Sequence, residues 1–114
     1  MPAKDTVFLI TNHGMGKGPE DLQLTLIGKF LQLLDQNEEC PAAICFYTEG
    51  VKLVTDGSPV LDLLITLEKK GIRLIVCSTC LSYFGLTDKV KTGIVGGMSD
   101  ILEALLNAGK VVSL

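Results

Sequence analysis

The sequence predicts an α/β fold: a single three-layer α/β/α domain over residues 1–114, with a mainly parallel sheet of about five strands. Three observations carry that prediction. The apolar runs are short, rich in β-branched residues and unbroken, as in strands buried on both faces of a parallel sheet. They alternate with segments of helical period in the order β-α-β-α-β-(α)-β-α-β. A chain of 114 residues, 47% apolar and 20% charged, can also bury one core without disulfide or metal staples.

Thr6–Thr11 (Thr-Val-Phe-Leu-Ile-Thr) is the first strand, and Asn12–Gly18 a loop by its glycines. Pro19 suits a first helical turn, and Glu20 and Asp21 complement the positive end of the dipole. The helix runs to about Gln36. Its stripe of Leu22, Leu26, Phe30 and Leu33 is widened by Leu24, Ile27, Leu31 and Leu34 to about half the circumference, more than one sheet face requires. A subunit contact is the expected use of the excess. Ala42–Tyr47 is the second strand, and Gly50–Gly57 reads as one or two helical turns. Ser58 and Pro59 form an N-cap and N1 pair for a helix reaching Lys70, with Gly71 as its stop. Ile72–Cys77 is the third strand, Thr87–Lys91 a short helix and Thr92–Val95 the fourth strand. Ser99 caps a helix over Asp100–Asn107, and Lys110–Leu114 supplies the last strand.

Composition excludes several classes. A net charge of −3 without any Lys/Arg cluster argues against nucleic acid, which needs a basic stripe. The opening Met1-Pro2-Ala3-Lys4-Asp5 has no signal-peptide run, and no later run reaches membrane-spanning length. The expected compartment is therefore the cytoplasm, with small molecules or proteins as partners and no membrane. Four cysteines in such a setting are core residues, redox groups or metal ligands before they are a disulfide framework.

In an open parallel sheet ligands bind beyond the carboxyl ends of the strands. Three stretches fall there: the Asn12–Gly18 loop, the segment from Thr48, and the pair Cys77 and Cys80. Cys77 closes a strand and Cys80 lies in the following turn, where exposed N–H groups or the start of a helix would lower a thiol pKa and supply a nucleophile. C-x-x-C spacing also fits a dithiol redox site or a structural pair. Cys45, between Ile44 and Phe46, reads as core, and Cys40 has no partner by spacing. One C-x-x-C and one histidine fall short of a zinc site, so neither metal nor other cofactor is expected. Gly14, Gly16 and Gly18 match no nucleotide fingerprint, although loop donors and Lys17 could dock an anion. A tight turn joining strand to helix explains the same glycines. Asn12 belongs to this candidate ligand loop, as does His13, which could exchange a proton with a neighbouring thiol. Glu49, just past the second strand, could orient the site.

Three stretches, "LITNHGMGKGPEDLQ", "GVKLVTDGSPVL" and "LIVCSTCLSYFGL", together make the chain resemble the DsrE/DsrF-like sulfurtransferase family. The resemblance is greatest to the carboxy-terminal domain of YedF-type proteins of sulfur and selenium metabolism. It implies a DsrE-like fold and a persulfide on the cysteine that ends the third strand and precedes a glycine by eight residues; here these are Cys77 and Gly85. Cys80 would be an accessory thiol that resolves the persulfide. Cys80 itself, and Phe84 where many relay members have an Arg, depart from the plainer pattern. The resemblance further implies sulfur donor and acceptor proteins, TusA-like ones among them, and assembly into trimers or hexamers. A non-catalytic module binding a small anion or a partner, and a Cys77/Cys80 dithiol redox protein, are the alternative expectations.

Overall fold

The computed structural model describes residues 3–114; Met1 and Pro2 lie outside the described residues. Five strands, β1 (Thr6–Ile10), β2 (Ala43–Phe46), β3 (Arg73–Cys77), β4 (Ile94–Gly96) and β5 (Lys110–Ser113), form one sheet in the order β4-β3-β2-β1-β5. Every pairing is parallel, with Val7 opposite both Ala43 and Val111, Ala43 opposite Arg73, and Ile75 opposite Ile94. The helices are α1 (Glu20–Gln36), α2 (Leu61–Lys69), α3 (Ser78–Tyr83) and α4 (Met98–Asn107). No helix among the described residues is long and apolar enough to cross a membrane.

Strand order explains the layers. From β1 to β4 the chain steps one way across the sheet, and it then returns past β1 to add β5. Right-handed crossovers therefore put α4 on the face opposite α1 and α2. Side-chain parity agrees: Phe8 meets Phe30 of α1 edge to face at 5.3 Å, whereas its neighbour Val7 lines a crevice with Ala104 of α4. The core between the layers includes Ile10, Ile27, Leu31, Ile44, Phe46, Leu64, Leu67, Leu74, Val76 and Ile101, all essentially inaccessible to water.

Element ends differ from the sequence-based expectation where backbone partners intervene. Pro19 is the N-cap of α1 rather than its first residue, so the helix starts one position later than expected, at Glu20. Ser58 accepts the Val60 N–H at 3.3 Å, so residues 58–60 form a turn and α2 starts at Leu61. Gly71 ends α2 as expected, with φ +98° and its N–H donated to the Glu68 carbonyl. Gly97, rather than Ser99, caps α4, and its N–H donates to Asp100 Oδ2 at 2.8 Å. The largest correction concerns Thr87–Lys91, which is not helical. Lys91 donates to Val54 O at 2.8 Å, and Lys89 O accepts from Asp56, so this stretch is pinned to a distant segment. The short helix lies earlier, at α3.

Cys45 is buried in β2 as expected. Burial pushes its thiol up to about 11, against the pull of Arg73. The unfolded chain releases this proton at the ordinary thiol value, about 8.5. Native stability from this group is therefore complete below that pH and is lost as pH rises towards 11. The expected loss is on the order of 2–3 kcal/mol at pH 11. Urea midpoints from pH 8 to 11 should fall less in Cys45→Val than in the native protein; parallel falls would exclude this group as a cause.

Candidate functional site

The carboxyl ends of β1, β2 and β3 converge on one edge, and three segments leave them. β3 runs into α3, so Cys77 is the N-cap residue of that helix and Cys80 its third residue. Cys77 is 1% exposed, held by β3 beneath the helix, whereas Cys80 is half-buried and reaches the surface. Both are free thiols, and Cys77 is near enough to act on the titration of Cys80.

After β2 the chain turns at Thr48 into a 3-10 segment, Thr48–Val54. The Thr48 N–H donates to Cys80 Sγ at 3.1 Å. Thr48 has φ +49°, the one positive φ at a non-glycine among the described residues. Its Oγ1 donates to Thr11 O at 2.6 Å and also lies 2.7 Å from Tyr47 O. Two residues on, Gly50 packs directly on the Ile10 carbonyl, where a Cβ would sit 2.7 Å from the carbonyl carbon and closer still to its oxygen. Only glycine lets the segment approach β1 this closely.

The thiol electrostatics differ from expectation. Burial pushes the Cys80 thiol up, the Thr48 N–H draws it back, and the Cys77 thiol adds to the rise. The expected lowering by turn donors is therefore reversed at Cys80. Its stabilising N–H comes from Thr48, on another strand's connection.

Gly85, eight residues after Cys77, ends α3. It has φ +69°, donates to Ser82 O at 3.1 Å, and Leu86 donates to Leu81 O at 2.8 Å, which together make a Schellman closure. The glycine thus stops a six-residue helix that carries Cys80 just beyond Cys77.

The glycine loop folds mainly on itself. Asn12 Nδ2 and Gln23 Nε2 both donate to Gly16 O, at 2.7 and 2.9 Å, and Met15 donates to Gln23 O at 3.0 Å. Gly14, at φ +138°, is pressed against Gln23, 2.5 Å from its Cβ were one added, so this glycine serves tight packing. Gly16, Lys17 and Gly18 are exposed, and the loop's side-chain amides are spent on the Gly16 carbonyl rather than on either cysteine. His13 stands 3.8 Å from Glu20 and faces a cleft of about 480 Å³ whose wall includes Lys52, Asp56, Phe84 and Leu86. Lys52 lies over the Phe84 ring at 4.6 Å and pairs with Glu49 at 2.5 Å. Glu49 thus neutralises Lys52 rather than touching a thiol. The cysteines do not line this cleft. Among the described residues no group of three or more His, Cys, Asp or Glu could hold a metal ion.

Lys52 carries site contacts that motif reading passed over, while Thr48 was met only as the start of a candidate segment and Phe84 only as a departure from the relay pattern. Gly50, four residues past the end of β2, was the available signal for Thr48, since a glycine can mark close backbone approach.

The profile of the DsrE/DsrF-like family matches residues 4–114. In structure, the chain is similar to the YchN protein of E. coli, with TM-score 0.69 and 18% identity over 96% of this chain and 98% of that one. It is also similar to MTH1491, a protein of unknown function from Methanobacterium thermoautotrophicum, with TM-score 0.68 and 21% identity over 96% and 97%. BT1422 from Bacteroides thetaiotaomicron, another of unknown function, gives TM-score 0.68 and 19% identity over 100% and 98%. At these identities the structural likenesses concern the fold. No curated protein matches the chain in sequence.

Proposed function

From the premise that the chain belongs to the DsrE/DsrF-like family, we propose that it carries sulfane sulfur, or selenium in its place, as a persulfide on the Cys77/Cys80 pair and hands it to a protein partner. Cys77 is the holding residue in this reading. The observation that supports it is the meeting of two free thiols at the carboxyl edge of the sheet, one buried and one reachable, with a backbone N–H on the reachable sulfur. A rigid strand end fixes Cys77, and burial keeps a persulfide there from bulk reductant. The acceptor, a TusA-like protein in the expectation above, would approach from the Cys80 side, where Tyr83 is 84% exposed beside the helix.

The protein also works as a homo-oligomer in this reading. Met98, Leu102 and Leu106 lie at i, i+4 and i+8 on the outer face of α4, beside exposed Ile94 and Val95 of the edge strand β4. Leu22, Leu26 and Leu33 are similarly exposed on α1. Two apolar stripes on one small protein are more than solubility favours, and a second copy covers either without any other partner.

Incubating reduced protein with a thiol persulfide and recording intact mass tests the carrier reading. Native protein should gain roughly 32 Da per sulfur, and a Cys77→Ser/Cys80→Ser double variant should gain none at this site. A folded native protein with no mass gain would contradict the proposal and move attention to the cleft beside His13.

A further inference from the structure

Resting on the carrier reading, we infer that Cys80 is the thiol through which sulfur enters, that the Thr48 backbone N–H positions its sulfur, and that the sulfur then passes to Cys77.

Thr48 carries the inference because it is strained. A β-branched residue at positive φ is a genuine outlier, and it persists only where its surroundings over-determine it. Three contacts do so here. The Thr48 hydroxyl is donated to the Thr11 carbonyl, the Tyr47 N–H to Ile10 O at 3.2 Å, and Gly50 seats the following turn on that same Ile10 carbonyl. The outcome of this arrangement is one free N–H aimed at a sulfur 32 residues away in sequence.

Exposure decides the order of the two thiols. Cys77 is closed to solvent, while Cys80 is reachable and Thr48 beside it is exposed. A donor can therefore meet Cys80 without opening the core. The chemistry balances with a thiol persulfide, R–S–SH, as donor. The Cys80 thiolate attacks the outer sulfur, the donor S–S bond breaks, R–S⁻ leaves, and Cys80–S–SH forms. The Cys77 thiolate then attacks that outer sulfur, Cys80 leaves as a thiolate, and it takes the proton that Cys77 gave up. One sulfur atom moves inward and nothing is oxidised overall. The N–H of Thr48 favours the Cys80 anion at both steps, once as attacking group and once as leaving group.

Stopped-flow loading with glutathione persulfide, and alkylation of Cys80 by iodoacetamide across pH, test this with native protein, Cys80→Ser, Cys77→Ser, Thr48→Gly and Thr48→Ser. Glycine adopts φ +49° without strain, so Thr48→Gly folds while losing the hydroxyl that fixes the N–H. Loading of Cys80→Ser is expected to fall at least about tenfold, because the reachable nucleophile is gone and Cys77 is closed to solvent. Cys77→Ser should hold its sulfur on Cys80. In Thr48→Gly the alkylation midpoint should move up by as much as about one pH unit, because the backbone donor remains but the hydroxyl no longer holds it on the sulfur, and Thr48→Ser should restore it. Cys80→Ser loading at the native rate, or a Thr48→Gly profile superimposed on the native one, would overturn the inference while the carrier reading stands. Native protein that takes up no sulfur would instead overturn the carrier reading itself.

Discussion

Gly50→Ala is expected to be the most damaging small substitution in the protein. The backbone of Gly50 is ordinary, so alanine suffers no conformational strain there. The cost is steric: the added methyl would overlap the Ile10 carbonyl, which is backbone at the end of β1 and cannot swing away as a side chain would. Ile10 is itself fully buried, and its carbonyl accepts the Tyr47 N–H. Relief must come from lifting the 3-10 segment off the strand, which uncovers Val51, Leu53 and Val54, all fully buried. Overpacking with loss of a buried hydrogen bond predicts about 3–5 kcal/mol of destabilisation. Denaturant melts should show it, and in the protein that remains folded Cys80 should lose its Thr48 donor. A loss below about 1 kcal/mol would mean that this contact is looser than its geometry implies.

The second large effect concerns assembly. Leu102 lies on the outer face of α4, 54% exposed, while Ile101 and Ala104 face the sheet. Leu102→Glu therefore spares the core and places a charge in the middle of the Met98–Leu102–Leu106 stripe. If a second copy covers that stripe, burying an unpaired carboxylate there costs several kcal/mol per contact and dissociates the assembly. Sedimentation is expected to show native oligomers and a Leu102→Glu monomer of unchanged helix content. Native protein that is monomeric at concentrations on the order of 100 μM would remove the oligomer proposal, since specific interfaces are occupied well below that.

The strands and the long helices were legible because their signals are local. Val7–Ile10, Ile44–Phe46 and Leu74–Cys77 are apolar without alternation, which only burial on both faces explains, and Gly71 and Gly109 follow helical stretches as stops. What sequence reading missed was decided across the chain. Thr87–Lys91 has helix-compatible residues, yet its hydrogen bonds go to Val54 and Asp56. The left-handed Thr48 left no trace in its own residue type, because its conformation is imposed by Thr11, Ile10 and Gly50. The cysteine pair was found by spacing and position, but spacing could not say which thiol is covered. The glycine loop was read two ways, and Gly14 against Gln23 favours tight packing there, while His13 turns towards a cleft formed with residues some forty and seventy positions away.

The most direct test of sulfur carriage follows from where trypsin cuts. Cleavage after Arg73 and Lys89 releases Leu74–Lys89, which holds Cys77 and Cys80, apart from the peptide with Cys40 and Cys45. After loading with glutathione persulfide and blocking of thiols, tandem mass spectrometry should find the added sulfur in Leu74–Lys89, with Cys77 modified in the native protein. Sulfur found only in the Cys40 and Cys45 peptide, or nowhere in a folded protein, would contradict the account.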